Sequence, residues 1–244
     1  MLKYINKVIG IAIFIAIWQL VSMSSTNPAL PGADEIFLRL IEILREPNTY
    51  KHILSSMKII FMGISVAVVF GITIAIVMSA FEPVRLALNP LIESLRGVAA
   101  LTLFPLLIAT LGIGDISRVF VIFWTAWPSI LISTINGLDT EQLLVEAAQS
   151  CGANKFQEYM RIRIPLAIPA MINGIRIGIS GGLISLIAAE MLGATKGVGY
   201  MLLWSSHAFD FKSVYAYIIL IALIGGLMNF SMLIIERKVK ENLI

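Results

Sequence analysis

The residue types that carry most protein chemistry are scarce in this chain. His52 and His207 are its only histidines, and Cys151 is its only cysteine. Neither HExxH nor CxxC spacing occurs, so local motifs supply no zinc-ligand set and no dithiol. A lone cysteine also excludes an intramolecular disulfide. There is no GxxxxGK[ST] phosphate loop, so the chain is not expected to hydrolyse ATP by itself. Three features remain. Arg176 and Glu190 sit in one otherwise apolar run, and Asp115 and Arg118 flank a very short turn. The third is a polar segment, Leu138–Pro165, containing Glu146-Ala147-Ala148 and Gly152.

A charge inside an apolar run normally faces protein or water. Arg176 lies 11 positions past Pro165, about three helical turns. It has two readings: snorkelling to the membrane surface, or lining a cavity or pairing with a carboxylate. Glu190, near the other end of the run, is read either as an outer gate or partner contact, or as a structural ion pair or hydrogen-bonded cap. Asp115 is read first as a capping group. Together Arg176, Glu190 and Asp115 are the candidates for a pathway or gate.

The polar segment reads as two short helices. Asp139 or Thr140 suits the first N-cap, with Glu141 and Gln142 in the first turn. Leu144, Ala147, Ala148 and Cys151 form one apolar stripe. Gly152 then suits the left-handed position that closes a helix. Asn154 suits the next N-cap, with Gln157 three residues on as in a capping box. Pro165 is expected to end that helix. Arg161 and Arg163 carry positive charge to this segment for a protein partner or for anionic lipid headgroups.

The elements that must position these residues follow from composition. The 244 residues are 58% hydrophobic and 14% charged, with mean hydropathy +0.91. Soluble domains run about 45–50% apolar and about 25% charged. The net charge of +3 comes from scattered residues, so no nucleic-acid-binding patch is expected. The chain is read as one all-α integral membrane domain, 1–244, with six transmembrane helices at about 8–23, 59–81, 97–114, 119–138, 169–195 and 213–235. The polar segment, about 139–168, joins the fourth and fifth. Lys3 and Lys7 precede a long apolar core with no evident cleavage site, which favours an uncleaved first helix over a signal peptide. Placing both termini in the cytoplasm puts eleven Lys and Arg inside and seven outside, the arrangement that the positive-inside rule prefers. In the first outer loop, Asp34 is expected to cap a helix with Ile36, Phe37, Leu40, Ile43 and Leu44 on one face.

Small residues recur at every fourth position. Gly63, Ala67, Gly71, Ala75 and Ser79 share one face, as do Gly174, Gly178 and Gly182, and Ala222 and Gly226. This is a close-packing device of membrane helices. Pro105 and Pro128 are expected to kink the third and fourth spans.

The polar segment resembles the EAA loop of permease subunits of binding-protein-dependent ABC importers. That pattern is E-A-A, three residues, G, nine residues, I, one residue, L-P. Glu146, Ala147, Ala148, Gly152, Ile162 and Pro165 match six of its seven fixed positions, and Ile164 stands for Leu. The nitrate, sulfonate and taurine type looks especially similar. Leu30-Pro31, Phe104-Pro105-Leu106, Gly112-Ile113-Gly114-Asp115, Ala189-Glu190-Met191, Gly193 and Gly197-Val198-Gly199-Tyr200 carry that likeness. Thr110-Leu111 departs from it, where an aromatic pair is common. The resemblance implies a multi-pass subunit of the prokaryotic plasma (inner) membrane that pairs with a second permease copy. It implies two ATPase subunits, which bind the ATP and Mg that this chain does not. An extracytoplasmic solute-binding protein would deliver a small anion such as nitrate, sulfonate or taurine, or a small vitamin or pyrimidine. The six matching residues would then be ATPase-coupling residues. A channel or secondary transporter would call for charged rings or inverted repeats, and a membrane-embedded enzyme for a grouped polar site. None of these is visible in the sequence.

Overall fold

The computed structural model describes residues 2–25, 27–139 and 142–243, and every regular element among them is helical. In chain order the helices are α1 (Leu2–Ser24), α2 (Ala33–Arg45), α3 (Pro47–Ala80), α4 (Glu82–Arg96), α5 (Phe104–Leu111) and α6 (Asp115–Leu138). Then come α7 (Gln142–Ser150), α8 (Lys155–Glu158), α9 (Ile164–Gly193), α10 (Val198–His207) and α11 (Phe211–Leu243). A 3-10 turn, Ala100–Leu103, leads into α5, and a π-helical turn, Tyr159–Arg163, joins α8 to α9.

Four helical stretches are long and apolar enough to cross a membrane: Pro47–Ala80, Asp115–Leu138, Lys155–Gly193 and Phe211–Glu241. A fifth passage is a bent pair, Glu82–Arg96 with Ala100–Leu111, broken by 82°. The remaining apolar stretch falls on α1. Its apolar part, Ala12–Ser24, is shorter, so the described residues supply four spans, or five with the bent pair, where the sequence suggested six, and the third apolar stretch is not one straight rod. Pro105 stands in the first turn of α5, where its missing N–H costs nothing, so it begins a helix instead of kinking one. Gly112, at φ +81°, closes that helix after two turns.

The bundle is organised around α6, which packs between α3 and α9. Ile122, Ala126, Ile130 and Leu131 of α6 are buried with Ile59, Ile60 and Ala67 of α3 and Leu183 and Leu186 of α9. The small-residue faces make this approach possible. A Cβ on Gly63 would lie 2.6 Å from Ile122, and one on Gly174 would lie 2.7 Å from Ser133. Those two stripes are thus used up by packing within the chain. Ala222 and Gly226 of α11 instead face outward.

α2 buries Ile36, Leu40 and Ile43. Leu40 and Ile43 meet Val198, Tyr217 and Leu220, while Phe37 is left exposed. Its N-cap is Gly32, not Asp34. Gln19 of α1 takes the capping role, accepting from the Ala33 N–H at 2.7 Å while donating to Asp34 at 3.1 Å. A side chain distant in sequence has displaced the local one. That hydrogen bond from Gln19 holds the Asp34 carboxyl below its ordinary range. The stretch 196–212, read as an outer loop, contains α10.

Candidate functional site

Two places gather the chain's sparse polar residues. The first is the segment between α6 and α9. The Ala153 N–H reaches the Ala148 carbonyl at 3.0 Å, and the Gly152 N–H reaches Gln149 at 2.9 Å. This double bond pattern closes α7, and it needs the φ of +81° found at Gly152. Asn154 then caps α8: its side chain accepts from the Gln157 N–H, and the Gln157 side chain accepts from the Asn154 N–H. Two helix ends therefore meet at one sharp corner, and both are satisfied. Thr140 and Glu141 lie outside the described residues.

Pro165 does not end the second helix, as its sequence position suggested. The chain continues through the π turn into α9 with Pro165 in the first turn. The N–H of Ile164 donates to Tyr159, five residues back. The wider turn takes up the ring that would otherwise strike the preceding α-helical carbonyl. It also brings together Glu158 and Arg163, which five-residue spacing on an α-helix would keep apart. Their side chains meet at 2.6 Å, and Glu158 is buried.

This pair is a hub. Glu158 also accepts from Gln149 of α7 at 3.0 Å. Arg163 donates to the Leu138 carbonyl at the end of α6, 3.1 Å away. Next to it, Tyr159 donates its hydroxyl to the Ser79 carbonyl at the end of α3, at 2.5 Å. Arg85 of α4 pairs with Asp139 at 2.8 Å. The two-helix knob is thereby tied to the ends of α3 and α6, with α4 pinned to that same end of α6, and it is covalently continuous with α9. Its outer side carries Glu146, Ala147, Gly152, Phe156 and Met160, all exposed, with Ala148, Ile162 and Pro165 half-buried beneath. Sequence reasoning singled out the motif residues but missed Glu158, Tyr159 and Phe156. Glu158 and Arg163 had no visible signal, because their pairing depends on the π turn.

The second place is the opposite end of α9. Glu190 is fully buried. One of its oxygens accepts from the Ser56 hydroxyl at 2.6 Å, the other from the Gly199 N–H at 2.8 Å. Ser56 in turn accepts from the Val198 N–H at 3.0 Å, and His52 Nδ1 accepts from the Gly197 N–H at 3.1 Å. The neutral ring of His52 therefore carries its proton on Nε2. Three successive N–H groups at the start of α10 are met in this way. A carboxylate at a helix N-terminus is also favoured by the dipole. Gly197 has φ +132°, and a Cβ there would lie 2.3 Å from the Glu190 carboxylate. Of the two readings of Glu190, the geometry is that of a buried cap.

Asp115 pairs with Arg118 at 2.5 Å. Arg118 also donates to the carbonyls of Gly114, at 3.3 Å, and Lys196, at 3.4 Å. Asp115 and Glu190 thus belong to one neighbourhood. Arg176 does not: it lies 14 residues before Glu190 on α9, about 21 Å along the axis. It donates to Asn173 at 2.7 Å and meets Glu236 of α11 at 3.5 Å. Glu236 is also bound by Lys240 at 2.9 Å. Arg176 is accordingly a cross-link between α9 and α11, the pairing alternative of its two readings.

An all-helical bundle of membrane-crossing helices with a projecting two-helix knob defines a multi-pass membrane protein. Residues 67–241 match the family described as "Binding-protein-dependent transport system inner membrane component", and the chain belongs to that family. It is 31% identical over 234 residues to a putative ABC transporter permease protein of Methanocaldococcus jannaschii, covering 93% of this chain and 88% of that one. It is 29% identical over 228 residues to the taurine transport system permease protein TauC of Escherichia coli, covering 91% and 83%. The putative aliphatic sulfonates transport permease protein SsuC of Bacillus subtilis is 28% identical over 230 residues, covering 93% and 83%. Among solved structures, a chain of the MetNI methionine ABC transporter in inward-facing conformations superposes with a TM-score of 0.68 at 17% identity. That match covers 78% of this chain and 95% of the other, and it shows the shared fold. The chain is therefore an ABC permease subunit, a multi-pass membrane protein of transport.

Proposed function

We propose that two copies of this chain form the pathway of an ATP-driven importer, with both termini in the cytoplasm. Two separate ATPase subunits hold the ATP and Mg, and each receives one knob. A solute-binding protein outside delivers the substrate. The substrate is a small anion of the taurine, sulfonate or nitrate kind, the substrates named for the E. coli and B. subtilis relatives above and for the nitrate import permease protein NrtB of a Synechocystis strain, 26% identical over 247 residues.

The observation that supports this best is the knob itself. Its exposed side presents Glu146, Phe156 and Met160, a charge with two apolar groups and no side-chain partner among the described residues. Its inner side is tied by Arg163 to α6 and by Tyr159 to α3, with Glu158 holding Arg163 and Gln149 together. Such a part converts a push from another protein into movement of the bundle. Glu146, Ala147, Ala148, Gly152, Ile162 and Pro165 are assigned to ATPase coupling on this basis.

The test is reconstitution of the full complex in vesicles with Glu146→Lys. We expect ATP hydrolysis to persist while uptake falls by more than about tenfold, roughly the loss of one charge-assisted contact. Full uptake by a well-assembled variant would refute the assignment.

A further inference from the structure

A cavity of about 600 Å³ opens beside the buried cap of α10. Its charged lining is Lys51 and Lys58 of α3, Arg118 and Asp115 of α6, and Lys196 of the turn before α10. Lys51 and Lys58 are seven residues apart and share one helix face. Asp115 is the one acid in this lining, and it is already paired with Arg118. Three positive charges are left in excess, and none of the three lysines forms an ion pair among the described residues.

The site is built, not merely charged. Arg118 is only 7% exposed, so it lies at the floor. Three of its five N–H groups are used, on Gly114, Lys196 and Asp115. One N–H on each terminal nitrogen remains. Lys196 is held in place by its neighbours: its own carbonyl is bound by Arg118, and Gly197, Val198 and Gly199 are bound by His52, Ser56 and Glu190. The backbone that carries Lys196 is thus fixed to α3, through His52 and Ser56. Like charges lining one concave, partly apolar wall create a strong local potential for an anion. Preorganisation reduces the cost of binding one.

We propose that this cavity binds a small oxyanion, a sulfonate, nitrate or carboxylate group, between the three lysines and above Arg118. Arg118, recessed at the floor, is reached by a small group and not by a flat protein surface. Under the transport reading, on which its role but not its existence rests, the cavity is a first subsite at the outer mouth.

The test uses the permease–ATPase complex in nanodiscs of neutral lipid. A membrane-impermeant amine-acylating reagent is applied with and without ethanesulfonate or nitrate, at matched ionic strength, and labelling is read by mass spectrometry. Labelling of Lys51, Lys58 and Lys196 should fall about threefold once the anion reaches twice its Kd. Lys212, bound to Glu35 outside this cavity, should not change. Lys196→Gln should abolish most protection of Lys51 and Lys58, and Lys196→Arg should preserve it. Unchanged labelling overturns the proposal. So does protection seen only with anionic lipid, or only with the binding protein. ATP-driven uptake is measured in parallel. Uptake without protection removes this site and leaves the transport reading intact, whereas protection without uptake does the reverse.

Discussion

At the residue scale, Glu190 shows how an intramembrane charge is retained. It satisfies Ser56 and Gly199, and through Ser56 it reaches Val198. Truncating it leaves buried donors without acceptors, and each such group costs about 1–3 kcal/mol. We expect Glu190→Ala to destabilise the protein by roughly 3 kcal/mol in reversible detergent unfolding, because two donors are orphaned at once. Glu190→Gln should cost less, since its amide oxygen can still serve one of them. A change within error for the alanine variant would show that water replaces the carboxylate there. Gly197 depends on the same carboxylate, which occupies the space that any side chain at this position would need.

At the element scale, the π turn decides what the knob can do. It lets helix pass through Pro165 into α9, and it sets Arg163 against Glu158. Both are well shielded, with side chains 20% and 6% exposed, so their attraction is not that of a surface pair. A double-mutant cycle of Glu158→Ala and Arg163→Ala should return a coupling energy of about 1–3 kcal/mol, as for groups in one network. Each single variant should also lower the ratio of uptake to ATP hydrolysis while leaving complex assembly unchanged. Equal losses of uptake and hydrolysis would mean that the pair serves docking and not transmission. The bent pair of α4 and α5 is the second such element. Its break follows from Gly97 and from Pro105 restarting the helix.

At the scale of the whole molecule, the bundle spends its small residues unevenly. The stripes on α3 and α9 are consumed by α6. By contrast, α11 turns Ala222, Leu223, Gly226, Leu227 and Phe230 outward. A membrane protein can leave such a surface to lipid, or to a second copy where small residues allow close approach. The knob's exposed side is different, since it projects among polar residues. We expect the chain, purified under mild detergent from cells expressing its neighbouring genes, to retain ATPase subunits in a one-to-one ratio. Purification as a stable single chain, with uptake indifferent to ATP depletion, would refute the importer reading.

Much of the fold was legible in the residues alone, for a local reason. Apolar runs of membrane length, the Gly152 corner and the Asn154–Gln157 cap are set by interactions within a few residues of chain. The EAA-like spacing, Glu146-Ala147-Ala148 to Pro165, is local too. The tertiary structure decided the rest. Glu190 became a cap because Ser56, 134 residues away, meets it. Asp34 lost its capping role to Gln19, 15 residues away on another helix. Glu158 met Arg163 only because the backbone widened to five residues per hydrogen bond. Lys51 and Lys58 looked like ordinary loop-side charges until the fold set Lys196 and Arg118 opposite them. In each case the partner is fixed by packing among helices, and sequence spacing carries no record of it.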